Sequence, residues 1–135
     1  MELDFGERLA RRDRDRRLVA VLHGWVEYGY SSTNYAASQA GLHSEAPTLE
    51  VLRNGRWVEL LGQVGYPAGI DHVMTVDLSR HLQTGDRRLR VRSNMELYWD
   101  RIYLIEPISD IRLDVKERAA SAADLHFRGY PREYS

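Results

Sequence analysis

The chain contains no cysteine, which excludes disulfide bridges and thiolate metal sites. It also has no run approaching the roughly 20 apolar residues that cross a bilayer. The first residues, Met1 to Asp4, lack the basic-then-apolar order of a secretion signal. These absences predict a soluble chain that is not inserted in a membrane and carries no export signal, and they leave its compartment open.

Lysine is almost absent, since Lys116 is the only one in the chain. Nineteen basic residues face twenty acidic ones, for a formal net charge of -1. This net charge produces no overall positive potential that would attract phosphates, so nucleic acid is not an expected partner. Arginine suits fixed bidentate ion pairs, and we therefore expect many of the arginines to be paired with carboxylates.

The length of 135 residues is that of a single domain. Residues 1–17 end in a run of alternating arginines and aspartates without apolar periodicity, which predicts a charged N-terminal arm, either solvated or a short exposed helix. The alternative is that this segment binds phosphate or an acidic partner. The acidic residues Glu7, Asp13 and Asp15 weaken that interpretation. Residues 18–135 are predicted to form one β-sandwich domain.

The stretch from Leu18 to Tyr28 begins with a continuous apolar run and is rich in β-branched and aromatic residues. This texture predicts a strand buried on both faces, and we expect it to be the central strand of a sheet. A lone histidine in such a strand, here His23, is usually a core group whose hydrogen bonds are satisfied.

A β-hairpin is predicted around Asn54-Gly55, because these two residues supply the positive φ angles of a type I′ turn. The predicted register pairs Arg53 with Arg56, Leu52 with Trp57, Val51 with Val58 and Leu49 with Leu60. The last two pairs share the core face. Trp57 lies on the other face, either covered by another segment or partly exposed.

Further strands are predicted at residues 73–78, 87–92, 95–105, 108–115 and 123–127. In the second, Leu89 and Val91 point inward and the alternating arginines form a solvated or ion-paired face. In the third, Asp100 shares the face of Tyr98, Ile102 and Leu104, which we expect to point inward. About eight short strands with turns between them predict an all-β fold, an antiparallel β-sandwich of the jelly-roll type.

Motifs with strong catalytic or metal-binding specificity are absent. The five histidines, at positions 23, 43, 72, 81 and 126, lack ligand spacing, so no metal site or cofactor is predicted. Asp71-His72 with one of Ser31, Ser32 or Ser93 is a weak candidate for nucleophilic catalysis, because nothing specifies an oxyanion hole. Spacing in the sequence cannot identify which two acidic side chains would face each other for glycoside hydrolysis. We therefore predict that the chain is not an enzyme.

A cluster of aromatic and amide residues follows the first long strand, where the chain turns polar. Ser31 or Ser32 is expected to cap one or two helical turns there that stop at Gly41. Such side chains suit stacking and polar contacts with sugars, peptides or other flat ligands. The alternative is that the aromatics plug the open end of the sandwich. The candidate ligand-binding residues are Trp25, Tyr28, Tyr30, Asn34 and Tyr35.

Several stretches resemble an uncharacterised bacterial domain. They are residues 22–28, 31–37, 65–69, 74–78, 90–100 and 128–134. That domain is found at the C-terminal end of large proteins with FG-GAP-type propeller repeats, an ASPIC/UnbV-like segment and sometimes tetratricopeptide repeats. The resemblance implies a piece of a longer protein whose aromatic patch contacts neighbouring domains.

A looser resemblance is to galactose-binding-like jelly rolls, carried by Asp77, Gly85, Leu89, Val91 and Asp100. Domains of this kind often bind carbohydrate through loops at one edge, sometimes with a structural calcium ion. The resemblance implies both properties, although no residue matches a defined sugar site and nothing else in the sequence indicates calcium.

Together these features favour a non-catalytic recognition module with an extracytoplasmic carbohydrate ligand. The first alternative is a structural or docking domain of a multidomain protein, with an exposed apolar patch that includes Trp57. The second, less favoured alternative is a hydrolase. The hydrolase requires His23 or His72 to meet a serine or paired acids.

Overall fold

The computed structural model describes residues 1–108, 114–127 and 129. These residues form β1 (Glu2–Asp4), α1 (Gly6–Ala10), β2 (Val19–Glu27), α2 (Ser31–Gln39), β3 (Thr48–Arg53), β4 (Arg56–Leu61), β5 (His72–Asp77), β6 (Arg88–Arg92) and β7 (Glu96–Ile105). Every strand pair is antiparallel, which confirms a fold made mainly of antiparallel sheet. Neither of the two helices in this part of the chain is long and apolar enough to cross a membrane.

The strands form a four-stranded sheet in the order β1-β6-β3-β4 and a three-stranded sheet in the order β5-β2-β7. Leu22 of β2 and Val51 of β3 are fully buried, and both sheets contribute to one hydrophobic cluster. The prediction that β2 is a central strand is confirmed. Residues 19–22 are buried on both faces, as expected.

The first ten residues are part of the fold, whereas the sequence suggested a charged arm. β1 pairs with β6, and the Met1 amino group donates to the Val91 carbonyl at 2.9 Å. Leu9 and Ala10 of α1 are buried. A strand of three residues is too short to show an apolar periodicity, and its stability comes from the partner strand. β1 could therefore not be predicted from its own residues. The charged run at residues 11–17 is exposed, except for the half-buried Arg12.

The hairpin forms with the predicted turn, since Asn54 and Gly55 have φ angles of 50° and 75°. Its register is confirmed from Arg53 to Val51, but a bulge pairs Leu49 with Leu61 rather than with Leu60. The prediction that Val58 belongs to the core is wrong, because its exposed fraction is 41%. β4 is an edge strand with a neighbour on one side only.

The alternation of β7 reverses at a bulge, which overturns the predicted inward position of Asp100. His23 of β2 pairs with Arg101 and Gly24 pairs with Trp99, so Asp100 is the extra residue. Beyond the bulge Ile102 and Leu104 pack against the core cluster, as predicted. Before it Trp99 packs inward and Tyr98 is exposed, and the extra residue Asp100 is exposed as well.

The arginines of β6 form an ion-paired face, as predicted. Arg90 and Arg92 donate to the buried Glu50 carboxylate at 2.5 and 3.4 Å. These contacts, with the Arg90 hydrogen bond as the largest cause, keep the pKa of Glu50 below its usual value. The Arg90 guanidinium also lies 4.5 Å from the centre of the Trp57 ring. Trp57 is therefore half-buried under a cation rather than part of an exposed apolar patch.

The two strands predicted near the C-terminus do not appear in the described residues. Residues 123–127 form no strand, nor do residues 108, 114 and 115, and residues 109–113 lie outside the described part of the chain. An apolar alternation becomes a strand only where a neighbouring strand takes up its backbone hydrogen bonds.

Candidate functional site

A cleft of about 810 Å³ lies between α2 and the ends of β2 and β7. We call it the α2 cleft. Four loops and one helix face contribute to it, mostly with polar and aromatic side chains. The residues that line it are Glu27, Tyr28, Gly29, Thr33, Asn34, Ala37, Ser38, Leu42, His43, Ser44, Ala46, Gln63, Tyr66, Asn94, Met95 and Glu96. Its volume lies within the range of ordinary ligand sites.

α2 forms the outer wall of the cleft and buries none of its own residues. It begins after Tyr30, which has an extended backbone and makes no side-chain cap, so the predicted serine cap is wrong. The predicted stop at Gly41 is confirmed. Gly41 has a φ of +69°, and Gly41 and Leu42 donate to the carbonyls of Ser38 and Ala37, as in a Schellman motif.

Two tyrosines make an aromatic corner inside the cleft. The rings of Tyr28 and Tyr66 meet edge to face, with centroids 6.5 Å apart and planes at 77°. Exposed fractions of 53% and 38% leave both rings accessible to a ligand. The corner therefore offers one flat face and one edge to a ring-shaped ligand.

The five candidate residues from the sequence do not form one site. Tyr28 and Asn34 line the α2 cleft, whereas Trp25, Tyr30 and Tyr35 do not. Asn34 already donates from Nδ2 to the Gly29 carbonyl at 2.8 Å, so part of its amide fixes the turn. Tyr30 and Tyr35 are exposed. The expected exposure of aromatics in this segment is confirmed, but their convergence on one site is not.

Trp25 stacks on Tyr98 on the outer face of the β5-β2-β7 sheet, with ring centroids 4.3 Å apart and planes at 9°. The two residues are cross-strand partners of β2 and β7. The next outward pair along the same ladder is Glu27 with Glu96, and both of these line the α2 cleft. The Tyr98 hydroxyl donates to the Glu96 carboxylate.

Sequence reasoning missed the far wall of the cleft, which is built by residues 63–66 and 94–96. Asn94 donates from Nδ2 to the His43 carbonyl at 2.8 Å and accepts from the Glu45 amide at 2.7 Å. Ser93 adds a hydrogen bond from its hydroxyl to the Glu45 carbonyl. These bonds hold the 43–45 loop in place before any ligand arrives. The only signal in the sequence was a Ser-Asn pair between two strands.

His23 lies between two carboxylates rather than in the core. Its Nε2 is 2.5 Å from Asp71 Oδ1 and its Nδ1 is 3.0 Å from Asp100 Oδ2. The prediction of a satisfied histidine holds, while the expected apolar environment does not, because the side chain is 25% exposed beside two exposed aspartates. With both ring nitrogens engaged, His23 presents none to a hydroxyl nucleophile.

The serines proposed as partners of His72 are placed elsewhere. Ser31 and Ser32 begin α2, and the Ser93 hydroxyl is committed to Glu45. Within the described part of the chain, no hydrogen bond joins His72 to any of the three. The arrangement is not that of a Ser-His-Asp triad.

We expect His23→Ala to lower the free energy of unfolding by about 1–2 kcal/mol, because it removes the contacts of the imidazole with two carboxylates, which are partly screened by solvent. His72→Ala is the control, since this neighbouring histidine is exposed. Urea denaturation of the two variants gives the comparison. Equal stability of the two would show that the bridge between Asp71 and Asp100 contributes nothing.

No group of three or more histidine, aspartate or glutamate side chains that could hold a metal ion occurs among the described residues. Comparison of the chain with models of protein families, with curated proteins and with solved structures gives no match. The two resemblances drawn from the sequence therefore stay predictions, and the site has to be interpreted from its own chemistry.

Proposed function

We propose that this chain is a non-catalytic recognition domain that binds carbohydrate in the α2 cleft, on a jelly-roll β-sandwich scaffold. The observation that carries the proposal is the accessible Tyr28–Tyr66 corner, surrounded by amide and hydroxyl side chains. A pyranose ring has apolar C–H faces and a rim of hydroxyl groups. It therefore needs an aromatic face for stacking and polar groups around it.

Two features support the jelly-roll scaffold. Both sheets contribute side chains to a single hydrophobic cluster, as in two packed layers. Among the described strands, every connection except the β3–β4 hairpin joins a strand of one sheet to a strand of the other. Crossing between layers is the pattern that separates a jelly roll from a simple meander.

The cleft is also organised in advance of binding. Its helix is stopped by the Gly41 motif, and its 43–45 loop is held by Ser93 and Asn94. A site ordered before binding loses less conformational entropy when the ligand arrives. This suits a module whose task is recognition.

The test is a glycan array followed by calorimetry with cello-, xylo-, manno- and N-acetylchito-oligosaccharides on the full chain. We expect Tyr66→Ala and Tyr28→Ala to weaken binding about tenfold, since one aromatic contact contributes about 1 to 1.5 kcal/mol. Tyr35→Ala is the matched control, because it removes an exposed tyrosine of α2 that does not line the cleft. Absence of binding across the array, or an equal loss in Tyr35→Ala, would refute the proposal.

A docking role within a multidomain protein is the second candidate. It is favoured by the outer face of the β5-β2-β7 sheet, where Val73, Tyr98, Tyr103 and Ile105 have exposed fractions of 39–55%. The occupant in that case is a neighbouring domain of the same polypeptide. Light scattering of the isolated chain separates the two functions, because a strictly monomeric species counts against the docking role.

A further inference from the structure

Acidic side chains are the main charged groups among the described residues that line the α2 cleft. Glu27 and Glu96 supply two carboxylates, and His43 is the only other side chain there that can change charge near neutral pH. No lysine or arginine is among the described residues that line it, although nineteen basic residues occur in the chain. A ligand in the cleft therefore faces two carboxylates that no lysine or arginine of the described lining neutralises.

The two carboxylates are cross-strand neighbours, because Glu27 of β2 pairs with Glu96 of β7. Like charges directly opposite each other weaken a ladder. The structure contains a second such pair, Glu50 with Glu59, and there Arg90 and Arg92 neutralise Glu50. Among the described residues neither Glu27 nor Glu96 has a cationic partner.

The two carboxylates also act on Tyr98, whose hydroxyl donates to the Glu96 carboxylate. Its hydrogen bond to Glu96, the charge of Glu96 and the more distant charge of Glu27 raise the pKa of Tyr98 above the usual value. The fields of both carboxylates thus reach one phenol next to the cleft. A like-charge pair that costs stability and has no cationic partner among the described residues is typical of a functional position.

We infer, on the basis of the proposed carbohydrate function, that the α2 cleft selects sugars with a free amino group and rejects uronic acids. The ammonium group of a glucosamine unit would neutralise Glu27 and Glu96 and donate hydrogen bonds to both. The Tyr28–Tyr66 corner would contact the apolar ring face of the same unit. A carboxylated sugar would add a third negative charge in the same place.

The test is calorimetry on the full chain with three oligosaccharides of equal length: glucosamine, N-acetylglucosamine and galacturonic acid. A mildly acidic buffer keeps the sugar amine protonated, and a His43→Gln variant in the same buffer removes the positive charge that the imidazole would add to the cleft wall. We expect the glucosamine oligomer to bind at least about tenfold more tightly than the acetylated one, a preference that decreases as salt is added. We expect the galacturonic acid oligomer not to bind.

The double variant Glu27→Gln/Glu96→Gln should lose this preference, still bind the acetylated oligomer, and melt at a higher temperature than the wild type without ligand. Glu59→Gln is the matched control, since it alters the other glutamate pair outside the cleft. Equal binding of amine and acetylated oligomers, or a preference kept in the double variant, overturns this inference and leaves the carbohydrate function standing. Absence of binding by all three oligomers and by the neutral glycans of the array overturns both. Displacement of the glucosamine oligomer by a lysine-rich peptide of similar length at equal concentration would assign the cleft to cationic peptides and overturn the inference.

Discussion

Replacing Gly24 with alanine is expected to lower the free energy of unfolding by more than about 3 kcal/mol. A Cβ at this position would lie 2.1 Å from the Tyr98 carbonyl oxygen and 3.0 Å from a ring carbon of Trp99. The first of these atoms belongs to the backbone of β7 and cannot move without breaking the bulge. Overpacking a core usually costs about 1–3 kcal/mol even where side chains can shift. The loss here should exceed that range, which is a large part of an ordinary domain stability of about 5–15 kcal/mol.

Gly62→Ala is the control for this prediction. The added Cβ would meet the Glu59 Oε1 atom at 2.9 Å, but that atom ends a flexible side chain and can turn away. Circular dichroism and urea denaturation of both variants provide the measurement. A Gly24→Ala protein within about 1 kcal/mol of the wild type would mean that β2 and β7 do not approach as described.

Gly24 also explains why the sequence predicted one half of β7 and misplaced the other. Strict alternation from Ile102 backwards assigns Asp100 and Tyr98 to the inward face. The bulge adds one residue, so Trp99 packs inward and Tyr98 stacks outward on Trp25. An isolated glycine inside a strand pattern is a signal for such a bulge. The signal lay in β2, while its effect on side-chain direction appears in β7.

The local features of the fold were predictable, and those that depend on distant partners were not. The Asn54-Gly55 turn and the stop at Gly41 follow from positive φ angles at single positions. β1 and the ion-pair partners of Arg90 depend on strands distant in the sequence. Periodicity within one segment contains no information about such partners.

The candidate site likewise combines residues that could be predicted from one local segment with residues that could not. Tyr28 and Asn34 were identified because they lie in one unusual segment. Tyr66 and Asn94, from two loops, and Glu96, from the start of β7, complete the cleft although they are far away in the sequence, and only the sheet order brings them together. Tyr30 and Tyr35 belong to the same segment as Tyr28, but their positions before and on α2 place them outside the cleft. Closeness in sequence therefore identified two residues of the cleft, Tyr28 and Asn34, and added three that do not line it.

Replacing Asp86 with alanine is expected to destabilise the protein by about 3 kcal/mol, because it leaves the partly buried Arg53 guanidinium without its carboxylate partner. The Asp86 side chain is 4% exposed and its carboxylate lies 2.6 Å from the Arg53 guanidinium, which is itself 21% exposed. Asp86 accepts two hydrogen bonds from Arg53 and one from the Gln83 amide. Arg53 also donates to the His81 carbonyl, so the pair fastens the 78–87 segment to the β3–β4 hairpin.

Glu106→Gln provides the comparison for an exposed pair. Glu106 contacts Arg16 at 3.3 Å, with side chains 42% and 68% exposed. Exposed pairs of this kind contribute little, so we expect a change below about 0.5 kcal/mol. Urea denaturation at neutral pH measures both effects. A loss in Asp86→Ala as small as that in Glu106→Gln would show that Arg53 is solvated well enough to need no partner.

The pH dependence of Asp86→Asn separates the charge of this residue from its packing. Burial tends to raise the pKa of Asp86, but the hydrogen bonds from Arg53 and the Gln83 amide outweigh it and hold the pKa below 3.8. The ionised carboxylate therefore stabilises the fold above that value, and its contribution is lost as the pH falls through the lowered pKa. The stability difference between the wild type and Asp86→Asn should be constant near neutral pH and shrink in acid. The pKa of Asp77 falls to about 2, mainly through its hydrogen bonds with Ser79. Because Asp77 is present in both proteins, its contribution to the pH dependence cancels in the stability difference. A difference that persists unchanged in acid would attribute the effect of Asp86 to packing rather than to its ion pair.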